Sequence, residues 1–191
     1  MPRSQKLLTG IETCLKEFAH SFDYQKAAEV LLDSILEFSG SKFGYIALVH
    51  YDENCAPYLR SNVLSNVAWN EETRALYESS MTAGGVEFRN LNTLFGAALL
   101  SGKPMIANQP ASHPAAAGTP KGHPPLNAFL ALPINRAATL IGQVGLANKP
   151  GGYTEEDIEN LSPALSVAAL LIEGTRLSQS YRSAQVEVAS S

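Results

Sequence analysis

The stretch Val144-Gly-Leu-Ala-Asn-Lys-Pro-Gly-Gly-Tyr-Thr-Glu-Glu-Asp157 joins a strand to a helix through a break. Residues from Thr139 to Asn148 are mostly apolar and read as a buried strand. Gly142 and Gly145 within it mark places where something packs close to the sheet or the strand bends. Pro150-Gly151-Gly152 ends the strand and supplies the turn that reverses the chain. Thr154 is a candidate N-cap, and Glu155, Glu156 and Asp157 put negative charge in the first helical turn, where the helix dipole favours it. A long apolar-striped helix follows.

Working outward, a strand over Asn127 to Asn135 pairs with Thr139 to Asn148 through a tight turn at Arg136-Ala137-Ala138. Before it, residues 108 to 126 form a long loop rich in proline and glycine, and loops of that length in a compact domain are usually functional or mobile. Pro104 to Ala107 reads as a brief strand, preceded by short helices over Glu71 to Ser80 and Thr93 to Leu100, the latter stopped at Ser101-Gly102. Lys42 to Tyr51 and Tyr58 to Val67 read as a hairpin around Asp52-Glu53-Asn54. At the N-terminus, Ser4 to His20 carries Leu7, Leu8, Ile11, Leu15 and Phe18 at helical spacing. A second helix runs from an Asp23 cap to Gly40. Clustered strands with helices at both ends indicate an α+β fold with an antiparallel sheet.

Composition narrows the function classes. The 191 residues are 45% hydrophobic and 17% charged, with a formal net charge of −4, an ordinary globular balance that holds one domain. Charges are spread rather than blocked, so no basic stripe suits nucleic acid and no polybasic segment suits a membrane surface. The longest apolar runs, Val167 to Ile172 and Tyr45 to Val49, fall far short of a bilayer span. Lys6, Glu12, Lys16 and Glu17 interrupt any signal-peptide core. Cys14 and Cys55 lie on segments with no reason to meet. The expectation is a reduced, cytoplasmic protein.

Three segments together resemble the GAF domain, a small-molecule sensor module of bacterial signalling proteins. They are the opening stretch, His123-Pro-Pro-Leu-Asn-Ala-Phe-Leu-Ala-Leu-Pro133 and Ser101-Gly-Lys-Pro-Met-Ile-Ala-Asn108. The resemblance covers about residues 4 to 175 and leaves 176–191 as a continuation of the last helix, a signalling linker. It implies a sheet of five or six strands with the N- and C-terminal helices on one face. The other face would carry the short helices and the long loop over a pocket. It also implies an unknown small organic ligand and an output domain such as a histidine kinase or a cyclic-dinucleotide enzyme, because GAF domains share a scaffold and differ in ligand.

Candidate ligand contacts are Trp69, Phe88, Phe95, Met105 and Phe129 for an apolar body, with Asn108, His123 and Asn127 for polar groups. Each is also an ordinary core or loop residue by type. Few cations flank the pocket segment (Arg89, Lys103, Lys121 and Arg136), which disfavours a strongly anionic ligand there. His113 and His123, ten residues apart with no cysteine or carboxylate between them, match no metal spacing, and no cofactor is expected. Asn148-Lys149, Tyr153 and Asp157 resemble part of the signature of cyclic-nucleotide-binding GAF domains, but Ile158 replaces its final acid. Cys55, flanked by Asn54 and Ala56 and close to Asp52 and Glu53, lacks the surroundings of a bilin attachment site or a reactive thiolate. No catalytic motif is visible, so the reading is a sensor and not an enzyme. A stripe of Val167, Leu170, Gly174, Leu177, Tyr181, Ala184 and Val188 steps by three and four, the spacing of a homodimeric coiled-coil seam. The competing readings are a ligand-free dimerisation module and a redox enzyme similar to methionine-sulfoxide reductases.

Overall fold

The computed structural model describes residues 3–65, 84–118 and 125–190, together with Glu71, Arg74 and Glu78. Helices α1 (Arg3–Ser21) and α2 (Tyr24–Ser39) are followed by β1 (Phe43–Tyr51), β2 (Pro57–Leu64) and β3 (Val86–Phe88). Then come α3 (Leu94–Ser101), β4 (Met105–Ala107), β5 (Phe129–Arg136), β6 (Thr139–Ala147) and α4 (Glu155–Ser190). The strands form one six-stranded antiparallel sheet in the order β3-β2-β1-β6-β5-β4. This is the α+β architecture expected.

Local chemistry sets the boundaries. Asp23 accepts from the Lys26 backbone N–H at 3.2 Å and starts α2, while Gly40, at φ +70°, closes it. Thr93 and Gly102 do the same for α3. At α4 the expected cap works in reverse. Asp157 reaches back to accept from the Thr154 backbone N–H at 2.9 Å, and the Thr154 hydroxyl also donates to it at 3.3 Å. That is the carboxylate half of a capping box. The β5–β6 turn is Ala137-Ala138, with Ala137 held at φ +51°.

Alternation along the strands divides the core in two. Ile46, Val63, Leu130, Leu132, Ile134, Val144 and Leu146 face α2 and α4. Those helices contribute Ala27, Ala28, Leu31, Leu32 and Ile35, and Leu161, Ala164, Ala168, Leu171 and Ile172. Helix α1 packs mainly on α2 as a helical hairpin, and Gly10 permits the approach because a Cβ there would lie 2.0 Å from Ser34 Oγ. The opposite sheet face carries Tyr45, Ala47, Val49, Leu59, Phe129, Ala131 and Ala147 beneath α3.

Strand β3, three residues long, carries too little pattern to read from sequence. Its register beside β2 places Glu87 opposite Arg60, and the two form an ion pair. The helix expected over residues 71–80 lies outside the described residues except for Glu71, Arg74 and Glu78, which are helical.

Candidate functional site

The expected ligand contacts fall into two places. Phe88, Phe95, Met105 and Phe129 meet in the core cluster between the sheet and α3, the face opposite the long helices. Tyr45 joins them. Its ring stacks on Phe88 with centroids 5.1 Å apart, and Phe88 meets Phe95 edge-on at 5.2 Å. Asn108 and Asn127 instead line a polar cleft of about 320 Å³ at the β6–α4 turn, with Lys42, Asn148, Lys149 and Gly152. Trp69 and His123 lie outside the described residues.

Two residues that sequence reasoning passed over organise the aromatic cluster. Gln143 is fully buried on β6, level with Ala47 and so on the same face. Its Nε2 donates to Tyr45 Oη at 2.7 Å, while its Oε1 has no hydrogen-bond partner. Burial pushes the Tyr45 hydroxyl pKa well above the usual tyrosine value, against a smaller opposing effect of the Gln143 hydrogen bond. Gly145 supplies the space for the ring, since a Cβ there would sit 2.2 Å from Tyr45 Cε1. The available signal was a glutamine in an otherwise apolar strand, which requires a buried partner. The result is an apolar cluster with one free carbonyl acceptor at its base. Among the described residues of the cluster no pair of groups is suited to proton transfer.

The polar cleft is built differently, because two of its three amides, Asn108 and Asn148, are used within the chain. Asn108 clamps the turn, donating from Nδ2 to the Tyr153 carbonyl at 2.9 Å and accepting from the Tyr153 N–H at 2.8 Å. Asn148, at φ +61°, accepts from the Asn127 N–H at 2.8 Å and donates to the Pro125 carbonyl at 2.9 Å. Lys149 is paired with Asp157 at 2.6 and 2.7 Å. Burial, the larger effect, pushes the Tyr153 hydroxyl up to about 12, and Ser41 is hydrogen-bonded to it at 2.8 Å. The residues resembling a nucleotide signature thus tie the strand, turn and helix together. Lys149 and Asp157 bond each other, Asn148 bonds the backbone at Asn127 and Pro125, and the Tyr153 hydroxyl bonds Ser41.

The other candidates resolve locally. His113 Nδ1 accepts from the Ala115 N–H at 3.1 Å inside its own loop. Among the described residues no three His, Cys, Asp or Glu side chains are grouped to hold a metal. Cys14 is buried on α1, where desolvation pushes its thiol up to about 11, and Cys55 is exposed at φ +60° in the β1–β2 turn. In the native protein one thiol per chain, Cys55, should react quickly with a disulfide reagent at pH 8, and both should react after denaturation. Two fast native thiols would contradict the environment of Cys14.

Comparison with known proteins gives the class. The GAF domain family model matches residues 23–173, and the chain belongs to that family. It is 25% identical over 152 residues to a methyl sulfide methyltransferase-associated sensor of Methanosarcina acetivorans, an alignment covering 78% of this chain and 14% of that protein. The GAF domain of a phosphoenolpyruvate-protein phosphotransferase from Coxiella burnetii has a similar structure, with a TM-score of 0.71 at 14% identity. That match covers 94% of this chain and 99% of the other. A free methionine-R-sulfoxide reductase from Neisseria meningitidis superimposes with a TM-score of 0.66 at 10% identity, covering 93% and 95%. At these identities the likeness to solved structures is one of fold.

Proposed function

We propose that this chain is a small-molecule-sensing GAF input domain, acting in the cytoplasm, that passes ligand occupancy to an output domain through dimeric terminal helices and does not transform its ligand. One observation carries this reading. Helix α4 runs on to Ser190 and exposes Leu170 (57%), Leu177 (69%) and Tyr181 (67%) on one stripe. Large apolar side chains at that spacing, beyond what the domain itself covers, suit a second copy of the same helix. The stripe is narrower than the sequence spacing implied. Val167 packs against the domain's own core, and a Cβ on Gly174 would lie 2.9 Å from Phe18 of α1. Residues from 176 onward then serve as the linker to the output domain, for which a histidine kinase or a cyclic-dinucleotide enzyme is the fitting type.

The ligand side of the proposal rests on the aromatic cluster with its unpaired Gln143 carbonyl. A ligand seated there must favour one arrangement of the paired helices, since equal affinity for two arrangements shifts nothing. The methionine-sulfoxide-reductase alternative needs reactive thiols in a pair, and Cys14, buried with a raised pKa, leaves the exposed Cys55 without a second one. Thermal-shift screening of a metabolite library tests binding. A ligand at about a hundred times its dissociation constant adds about 2.7 kcal/mol to stability. Replacing Phe95 with alanine should then abolish the stabilisation by an apolar hit while leaving the dimer intact. A broad screen without a hit would favour a ligand-free dimerisation module.

A further inference from the structure

On the helix-covered face of the sheet, away from the aromatic cluster, lies a cleft of about 460 Å³. It exists because α4 outruns α2. Helix α2 begins at Tyr24, whereas the inward stripe of α4 continues past Ile172 through Thr175, Arg176 and Gln179. The floor is Leu48 and His50 of β1 with Arg60 of β2, and the first turn of α2 closes one end.

The chemistry of the cleft is cationic. Arg60 enters from the sheet and Arg176 from the helix, and both guanidinium charges act on His50. Burial first, and then those two charges, lower the imidazole pKa, against a smaller opposing effect of Glu87. Among the described residues the carboxylates nearby are occupied. Glu87 takes Arg60 through Nε at 3.0 Å and through Nη2, which also meets the Tyr58 hydroxyl, leaving Arg60 Nη1. Glu87 takes Arg89 as well, Glu173 takes Arg176 Nη1 at 3.1 Å and also Arg136, and Asp23 caps α2. A guanidinium has five N–H donors in a fork, so the Glu173 contact leaves most of the Arg176 fork for another acceptor. The Tyr24 hydroxyl is buried without a hydrogen-bond partner, and the Arg176 charge acts on it as well. An unpaired buried hydroxyl in a native fold calls for an explanation.

We propose that this cleft binds a compact dianion, a tetrahedral oxyanion or a dicarboxylate, gripped by Arg176 and Arg60. Arg176 is rotated about 100° from Leu177 and about 140° from Tyr181 around the helix, off the exposed stripe, because successive residues are about 100° apart. An occupant would therefore fix the seam helix to the β1–β2 end of the sheet. This site is independent of any ligand in the aromatic cluster.

The test is an NMR titration of the His50 imidazole in the full chain, in sodium chloride and at matched ionic strength with sulfate or succinate. Bound dianion should raise the His50 pKa saturably. Arg176→Gln should weaken that response at least tenfold, with Arg60→Gln as a second variant, while Arg136→Gln, whose partner Glu173 lies outside the cleft lining, should retain it. A response to sulfate alone assigns the site to phosphate-type groups, and one to succinate alone assigns it to dicarboxylates. A His50 titration unmoved by both, or moved equally in Arg176→Gln, overturns the proposal.

Discussion

Gly145→Ala is expected to destabilise the fold by about 3 kcal/mol, a large effect for one methyl group. The new Cβ would lie 2.2 Å from Tyr45 Cε1 and 2.3 Å from Cζ, so the ring must leave. Overpacking of that kind typically costs about 1–3 kcal/mol. The displaced hydroxyl would also abandon Gln143 Nε2, and an unpaired buried amide costs about 1–3 kcal/mol more. Chemical denaturation of the wild type, Gly145→Ala, Tyr45→Leu and the double variant would separate the two effects. In the Tyr45→Leu background the alanine should cost under about 1 kcal/mol, because the ring it strikes is gone. An equal cost in both backgrounds would place the strain in the backbone instead.

The double substitution Leu170→Glu with Leu177→Glu should convert a dimer into a folded monomer. Both side chains are more than half exposed in the single chain, so the fold loses little by the change. In a paired seam the four introduced carboxylates would be buried like charges, which disfavour association strongly. Sedimentation should give twice the chain mass for wild type and one chain mass for the variant, with unchanged circular dichroism. A variant that remains dimeric would place the interface elsewhere.

What the sequence made legible follows from how local each interaction is. The caps of α2 at Asp23 and Gly40, and the stop of α3 at Gly102, are formed within a few residues and were readable directly. The paired strands β5 and β6 were readable because their apolar runs flank a short turn. Strand β3 escaped, since three residues cannot display a period of two and its stability comes from β2 and from the Phe88 stack on Tyr45. The candidate site was half legible. Aromatic residues of the right type at Phe88, Phe95, Met105 and Phe129 do converge, but residue type alone cannot show that Tyr45 and Gln143 form the polar base beneath them. Asn108 has the type of a ligand amide, and the chain uses it to hold Tyr153, 45 residues away. Gly174 fits the heptad spacing, yet its missing side chain makes room for Phe18 of α1, a contact between opposite ends of the sequence.

If occupancy of the aromatic cluster changes how two copies of α4 pair, the distance between the two helices must change with it. A spin label at an exposed position of α4, Ser183→Cys in a Cys55→Ser background, reports the spacing of the two helices by pulsed electron resonance. The wild type should give a defined short distance, as for helices packed with axes about 10 Å apart. That distance should be lost in the Leu170→Glu, Leu177→Glu variant and should shift when the most stabilising metabolite from the screen is added. A distance that is absent from the wild type, or that stays fixed while the metabolite stabilises the fold, would contradict that coupling.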